Sequence, residues 1–365
     1  MSYDAILLAG FGGPRKPEDV VPFLRNVTAG KGIPDERLRE VGEHYYQFGG
    51  RSPINELTES PRDALADALA DEGIHLPVVL GNRNWDPYTI DALRQIADAG
   101  GKRVLTVITA AYSSYSGCRQ YREDIAAQVK KLGVPLQVHK VRAYFNTPGF
   151  VAANVDAVVA AFRESEAAGH PDADLVFVTH SIPDAMEASS AVARPASYAR
   201  QHEEVARLVA QGAGEVLGRA LPWRLVYCSR SGPPQVPWLE PDVNAALAEL
   251  AGVGSRAVVL SPIGFNSDHM EVLYDLDTEA AATARELGLG FVRAATAGTH
   301  PAFVGGLVQV VKERMGLAEP VVAGDLPAWG PVCAENCCLM PRRPGGHGGP
   351  GGPSGPSGHG GGSAG

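Results

Sequence analysis

From the start of the chain to about residue 318, short β-branched apolar runs alternate with longer stretches whose apolar residues recur at three- and four-residue steps. The runs predict strands at Tyr3–Phe11, Leu76–Asn82, Arg103–Ala110, Pro135–Ala143, Ala173–Ser181, Trp223–Ser229, Ser255–Pro262 and Gly290–Gly298. Strands that are apolar throughout and separated by amphipathic helices belong to parallel sheets covered on both faces. Four of them precede a long helix predicted over Pro148–Gly169 and four follow it. The expected fold is therefore α/β, with two Rossmann-like, doubly wound halves over residues 1–146 and 147–318, each a four-stranded parallel sheet flanked by helices. A cysteine-bearing segment, 319–341, comes next. Residues 342–365 predict a disordered tail, because 12 of the last 25 residues are glycine and nothing there can bury a core.

Composition narrows the function. With 365 residues, 45% apolar and 20% charged, the chain can bury a sizeable core. A formal charge of −9 without a basic run argues against a nucleic-acid backbone as partner. The opening MSYDAILLAGFGGPRKPED is acidic where a secretion signal is basic, and no apolar run approaches the roughly 18 residues of a membrane span. A cytoplasmic location follows as an expectation, and in that compartment clustered thiols bind metal more often than they form disulfides.

Two segments carry acid–base chemistry. DLVFVTHSIP delivers His180 to the carboxyl end of the fifth strand, where open α/β sheets bind ligands, and Pro183 turns the chain away. Alone, such a histidine reads more readily as a buried strand cap. SPIGFNSDHMEVLYDLDTEA spaces Asp268, Glu271, Asp275 and Glu279 so that a helix would line one face with carboxylates, while Phe265, Met270, Leu273 and Leu276 bury the same segment. An imidazole and a carboxylate at the ends of two parallel strands suit proton transfer or a borderline metal such as Fe²⁺. A third segment, WGPVCAENCCLMP, holds three of the five cysteines, Cys333, Cys337 and Cys338. Of the other two, Cys118 opens a helix, where N–H groups favour a thiolate, and Cys228 lies inside a strand as a small hydrophobe would.

THSIP and SPIGFNSDHMEVLYDLD, together with LLAGFGGP, FGGRSPINELTE, GNRNWDPY and SRSGPPQVPWLEPD, resemble the ferrochelatases in order over residues 3–318. The resemblance implies chelatase-type halves with a porphyrin cleft between them, and insertion of Fe²⁺ with loss of two pyrrole protons. It implies His180 at the ring centre and Glu271 across the cleft from it, both able to contact the Fe²⁺ substrate, with Asp268 and Asp275 continuing a path for protons or metal. Ser52 and Tyr121 match propionate contacts. Phe11 occupies the place of an axial tyrosine found in many bacterial members, where it can pack but not ligate, and Tyr115 is the candidate substitute. Arg25, Lys31 and Arg51 are the nearest equivalents of propionate-gripping cations. By position, Cys118, Cys333, Cys337 and Cys338 match the ligands of a structural [2Fe–2S] cluster, with a four-thiolate zinc site as the alternative. The C-x3-C-C spacing demands a sharp turn between Cys337 and Cys338.

Gly30–Gln47 is polar where animal enzymes carry a membrane-dipping lip, so no stable membrane association is expected. A soluble enzyme favours coproporphyrin III as substrate and coproheme as product over protoporphyrin IX. The competing readings are a cobalt or nickel tetrapyrrole chelatase and a non-catalytic haem-binding or cluster-sensing protein. Transient contact with other haem-pathway enzymes is the partner expectation.

Overall fold

A computed structural model describes residues 2–341 apart from Pro233 and Pro331, so the disorder expected for the tail 342–365 lies outside the described residues. The strands are β1 (Ala5–Gly10), β2 (Val78–Asn82), β3 (Arg103–Ile108), β4 (Gln137–Lys140), β5 (Asp174–His180), β6 (Trp223–Cys228), β7 (Ala257–Ser261) and β8 (Gly290–Arg293). The helices are α1 (Val20–Val27), α2 (Asp35–Tyr46), α3 (Glu56–Asp71), α4 (Thr89–Asp98), α5 (Gln120–Leu132), α6 (Pro148–Ala167), α7 (Asp184–Ser190), α8 (Tyr198–Leu217), α9 (Val243–Gly252), α10 (Ala281–Glu286) and α11 (Pro301–Met315). Two wider π-helical turns, Tyr115–Arg119 and Val272–Ala280, run directly into α5 and α10.

Two four-stranded parallel sheets result, with orders β2-β1-β3-β4 and β6-β5-β7-β8. Each strand falls within its predicted run. The runs overshoot at their carboxyl ends because Val141–Ala143 and Ala294–Gly298, though partly apolar, have left the ladder for loops. The central strands explain why the sheets form. All six residues of β1 and Leu175–Thr179 of β5 are buried, so helices on both faces must cover them. Thr147 starts α6 by accepting a hydrogen bond from the Phe150 N–H, and Pro148 fits the first turn because it has no N–H to satisfy.

α11 closes the second half and also straps the first, packing on α6 and on α3. Its Glu313 accepts a bidentate pair from Arg142, Nε–Oε2 at 2.7 Å and Nη2–Oε1 at 3.2 Å. Arg142 also donates to the Val321 carbonyl and to Asn146 Oδ1. Asn146 in turn donates to the Leu326 carbonyl, and Trp329 packs on Phe145 with centroids 5.2 Å apart. The hinge between the halves thus anchors the segment that leads to the cysteines. No helix among the described residues is long and apolar enough to cross a membrane.

Arg142 and Glu313 side chains are only 4% and 6% exposed, so removing one partner strands a buried charge. Arg142→Ala should destabilise the protein by about 3–5 kcal/mol, read as a lower urea midpoint, and the Arg142→Met/Glu313→Leu double variant should recover much of the loss.

Candidate active site

β5 pairs with β7 in the register Phe177↔Ser261, and with β6 in the register His180↔Cys228. Alternation along the strand points Thr179 and His180 to opposite faces. Thr179 faces inward, where its hydroxyl lies 2.9 Å from His202 Nε2 and from the Tyr198 hydroxyl. Tyr198 donates to the His180 carbonyl at 3.0 Å, and His202 Nδ1 donates to the Tyr198 carbonyl at 2.8 Å. Burial pushes the His202 pKa down to about 3, so its Nε2 stays a neutral acceptor. Gly264 of the SPIGF loop presses on this strand end; a Cβ there would stand 2.1 Å from Thr179 Oγ1, so only glycine allows the approach. His180 is therefore held by its backbone, with its ring turned away from this buried network.

That ring projects toward Glu271, with Nε2 3.4 Å from Oε1, while Nδ1 donates to the Ser181 carbonyl at 2.5 Å. Burial opposes the imidazolium, but Glu271 outweighs it through its charge and a hydrogen bond, and the Ser181 carbonyl adds to the effect, lifting His180 to about 9. Glu271 moves the opposite way. Burial would raise it, yet the charge and hydrogen bond of His180 and the nearby His269 ring carry it down to about 2. The resting state is an ion pair that stabilises the fold most between about pH 4.5 and 6.5, and it weakens as pH climbs through about 9 or falls toward about 2. The two groups are in contact on one side, so the expectation that Glu271 stands across the cleft is corrected: no macrocycle fits between atoms 3.4 Å apart. His269, overlooked in the sequence although SDHME displays it, accepts the Glu271 N–H at Nδ1 and is held below the usual imidazole range, chiefly by burial.

The carboxylate file also needs correction. The wide turn of Val272–Ala280 keeps Glu271, Asp275 and Glu279 in mutual electrostatic reach, whereas Asp268, ahead of the helix, turns to Arg293 at 3.1 Å and accepts from the Thr296 hydroxyl. Asp268 is thereby neutralised outside the file. Burial, then the Glu271 and Glu279 charges, raise Asp275 to about 6 against a hydrogen bond from Ser229 and the pull of His180. Ser229 has a left-handed backbone, φ 61°, which costs a non-glycine residue roughly 1–2 kcal/mol and turns its hydroxyl to Asp275. From the other half, α2 lies over this helix: His44 stacks on Tyr274 at 3.8 Å, and the buried Tyr45 hydroxyl is raised by burial and by the Glu271 and Asp275 charges.

Ser52 is buried against Gly13, and Phe11 joins Phe23, Tyr45 and Trp85 in an aromatic cluster beneath α2. Tyr121 is buried with the Arg83 guanidinium 5.4 Å over its ring. The hydroxyl of Tyr115, which lies on the turn that bears Cys118, donates to Glu123 of α5. Arg25 pairs with Asp35 and Arg51 with Glu56, so both are already neutralised, and Lys31 is exposed. Arg83, in GNRNWDPY after β2, went unremarked in the sequence; its charge reaches Asp124, which it favours as a carboxylate.

The cysteines gather on the far side of the first sheet. Cys118, Cys337 and Cys338 are buried and Cys333 half-buried, and all are free thiols. A hydrogen bond from Cys118 holds Cys333 near 4 against burial, helped by Lys140, Arg194 and Arg122, while Cys118 is pushed far up. The required sharp turn exists, with Cys338 at φ 51°. Among the described residues, no group of three or more His, Cys, Asp or Glu side chains is set to hold a metal ion. The four thiols instead converge on Arg194, and a 580 Å³ cavity lined by Arg119, Arg122, Lys140 and Arg314 opens beside Cys333. The residue types are those of a four-thiolate cluster, but the thiols close on a guanidinium and are not set around a metal ion.

The sequence family described as ferrochelatase matches residues 3–315. The coproporphyrin III ferrochelatase of Streptomyces coelicolor is 50% identical over 349 residues, spanning 92% of this chain and 93% of that protein. That of Leifsonia xyli subsp. xyli is 48% identical over 358 residues, spanning 93% and 91%. A protein of Rhodopirellula baltica named ferrochelatase is 49% identical over 347 residues, spanning 94% and 95%. Among solved structures, SirB from Bacillus subtilis with Fe³⁺ aligns with a TM-score of 0.49 and 12% identity, over 86% of this chain and 95% of that one.

The ion pair makes a direct prediction. Followed by NMR, the His180 imidazole should titrate near pH 9, and in Glu271→Gln it should fall to or below the ordinary value of about 6.5, because burial then acts without the carboxylate. An unchanged midpoint would show that the pair does not form in solution.

Proposed function

The chain belongs to the ferrochelatase family, and from that premise we propose that it inserts Fe²⁺ into coproporphyrin III, giving coproheme and releasing two pyrrole protons. The observation that carries the mechanism is the 3.4 Å His180–Glu271 contact at the strand ends, backed by an Asp275 that titrates near neutrality. At rest His180 holds a proton and cannot take another. A dication arriving at Glu271 inverts this balance, because its charge disfavours the neighbouring imidazolium. With Glu271 on the dication, the His180 proton leaves toward Asp275, whose pKa of about 6 lets it both accept and release, and the two pyrrole protons follow through His180 one after the other. His180 is then a neutral imidazole with Nε2 free, fixed in that tautomer by the Nδ1–H bond to Ser181, and it can contact the iron or take a pyrrole proton. Asp268, tied to Arg293, serves the path only by holding the loop.

Recognition of the macrocycle falls to the aromatic floor around Phe11 and to Ser52 and Tyr121. Arg83, which stacks on Tyr121 and is not in a direct ion pair, is a better propionate anchor than the paired Arg25 or Arg51. Tyr115 is a weak axial ligand on this reading, because its hydroxyl engages Glu123. The polar α2 surface and the tetra-carboxylate substrate together suit a reaction in the cytoplasm, with a transient hand-over to neighbouring haem-pathway enzymes. The two halves meet near residue 146, with α11 as a strap.

We assign Cys118, Cys333, Cys337 and Cys338 to a [2Fe–2S] cluster. When bound, such a cluster supplies iron–thiolate bonds that pin the C-terminal segment to the first half. Insertion of Fe²⁺ transfers no electrons, so the chain's own residues perform the reaction.

Anaerobic assays with both porphyrins test this reading. Wild-type protein should metallate coproporphyrin III faster than protoporphyrin IX. His180→Ala and Glu271→Gln should each lose at least about 10²-fold in turnover while still quenching porphyrin fluorescence on binding. No turnover of either porphyrin, or full turnover in both variants, would overturn it. Iron and sulfide analysis should find a [2Fe–2S] cluster in the wild type and none in Cys118→Ser; a zinc-containing, colourless protein would sink the cluster alone.

A further inference from the structure

Arg293 is the last residue of β8, where the ladder to β7 pairs it with the buried Leu260, so its backbone is fixed by the second sheet. From there its side chain reaches the segment that carries the acid–base groups and divides its donors between two carboxylates. Nε lies 2.5 Å from Asp277 Oδ1, and Nη2 lies 3.1 Å from Asp277 Oδ2. Nη1 lies 3.2 Å from Asp268 Oδ1, and Nη2 also reaches Asp268 Oδ2 at 3.1 Å. Asp268 precedes the wide turn Val272–Ala280 and Asp277 lies inside it, so one guanidinium grips the segment on both sides of Glu271 and Asp275. The Thr296 hydroxyl secures Asp268 at 3.1 Å, and Nη1 also donates to the Ala294 carbonyl at 3.2 Å. The Arg293 side chain is only 17% exposed; burial opposes its charge, but the Asp277 hydrogen bond and the Asp268 and Asp277 charges outweigh it and raise its pKa.

We infer that Arg293 is the positioning residue of the carboxylate file: by holding Asp268 and Asp277 together it fixes the wide turn in the phase that aims Glu271 at His180 and Asp275 at Ser229. This rests on the proposed insertion of Fe²⁺ at that file. Residues two apart leave a helix in different directions, so Arg293 can grip Asp277 from one side while Asp275 meets the Ser229 hydroxyl on the other. The π-helical turn is a rare conformation, and the double grip counters its relaxation to ordinary α-helical winding, which would shift Asp275 relative to Glu271. None of the Arg293 bonds is to Glu271, Asp275 or His180, so it acts only through the backbone that carries them. Arginine suits this place better than lysine, because a planar fork addresses two carboxylates at once and an ammonium is a single point charge.

The test is steady-state anaerobic Fe²⁺ insertion into coproporphyrin III and protoporphyrin IX by the full chain, on wild type, Arg293→Gln, Arg293→Lys and Asp277→Asn. Turnover is normalised to folded protein from urea denaturation, and porphyrin affinity is read separately by fluorescence quenching. Arg293→Gln should lower kcat about 10- to 100-fold with the porphyrin Kd at its wild-type value, because the reacting groups are misplaced and the macrocycle contacts are not. Arg293→Lys should recover part of that loss. Asp277→Asn weakens one pair at a side chain 32% exposed and leaves the other, so its kcat should fall between wild type and Arg293→Gln. Wild-type kcat per folded molecule in Arg293→Gln and Asp277→Asn would overturn the proposal even if the urea midpoint drops, since that marks a purely stabilising ion pair. So would a loss confined to porphyrin affinity. If Arg293→Gln does not fold, Asp277→Asn decides: a lowered kcat supports the clamp and a wild-type kcat overturns it. A wild-type protein that metallates neither porphyrin would overturn the proposed reaction and this proposal with it, which separates that failure from a failure of Arg293 alone.

Discussion

The register between β5 and β7 is the constraint on which the rest depends. A parallel ladder fixes which side of a strand each residue faces, and a slip of one residue would exchange Thr179 and His180. In the observed register Thr179 turns inward to His202 and Tyr198, and His180 turns outward to meet Glu271, ten residues beyond the end of β7. The site therefore inherits its precision from a buried sheet, and the polar groups behind His180 serve to hold the strand end in place. Gly264 belongs to the same constraint, since any side chain there would push the two strand ends apart.

The eight strands were legible because parallel strands buried on both faces need β-branched runs that few other elements need. His180 and Glu271 were legible as chemistry because THSIP and SDHMEV place an imidazole and a carboxylate at strand ends. Their mutual position was not, because sequence spacing says which groups share a crevice but not which wall each occupies. Asp268 shows a second limit. Its place in the acidic row looked equivalent to that of Asp275, and only a partner 25 residues away, Arg293, removes it. Arg83 and Ser229 were hidden for a related reason: the first is placed by stacking on Tyr121, 38 residues away, and the second by its backbone conformation.

The cysteine segment joins the molecule in a different way. Arg142, Asn146 and Trp329 tether it at the hinge, and Arg194 reaches it from the loop after α7. Contacts from both halves thus meet at four thiols that sit apart from the carboxylate file. The spacing C-x3-C-C drew attention to the thiols in the sequence, but nothing in it pointed to the cation between them, which lies 139 residues from Cys333.

The stack of His44 on Tyr274, 3.8 Å apart and within 10° of parallel, lies between the two halves over the carboxylate file. Parting the two surfaces over that file breaks the stacked pair, so access to the carboxylates carries the cost of one ring–ring contact between the halves.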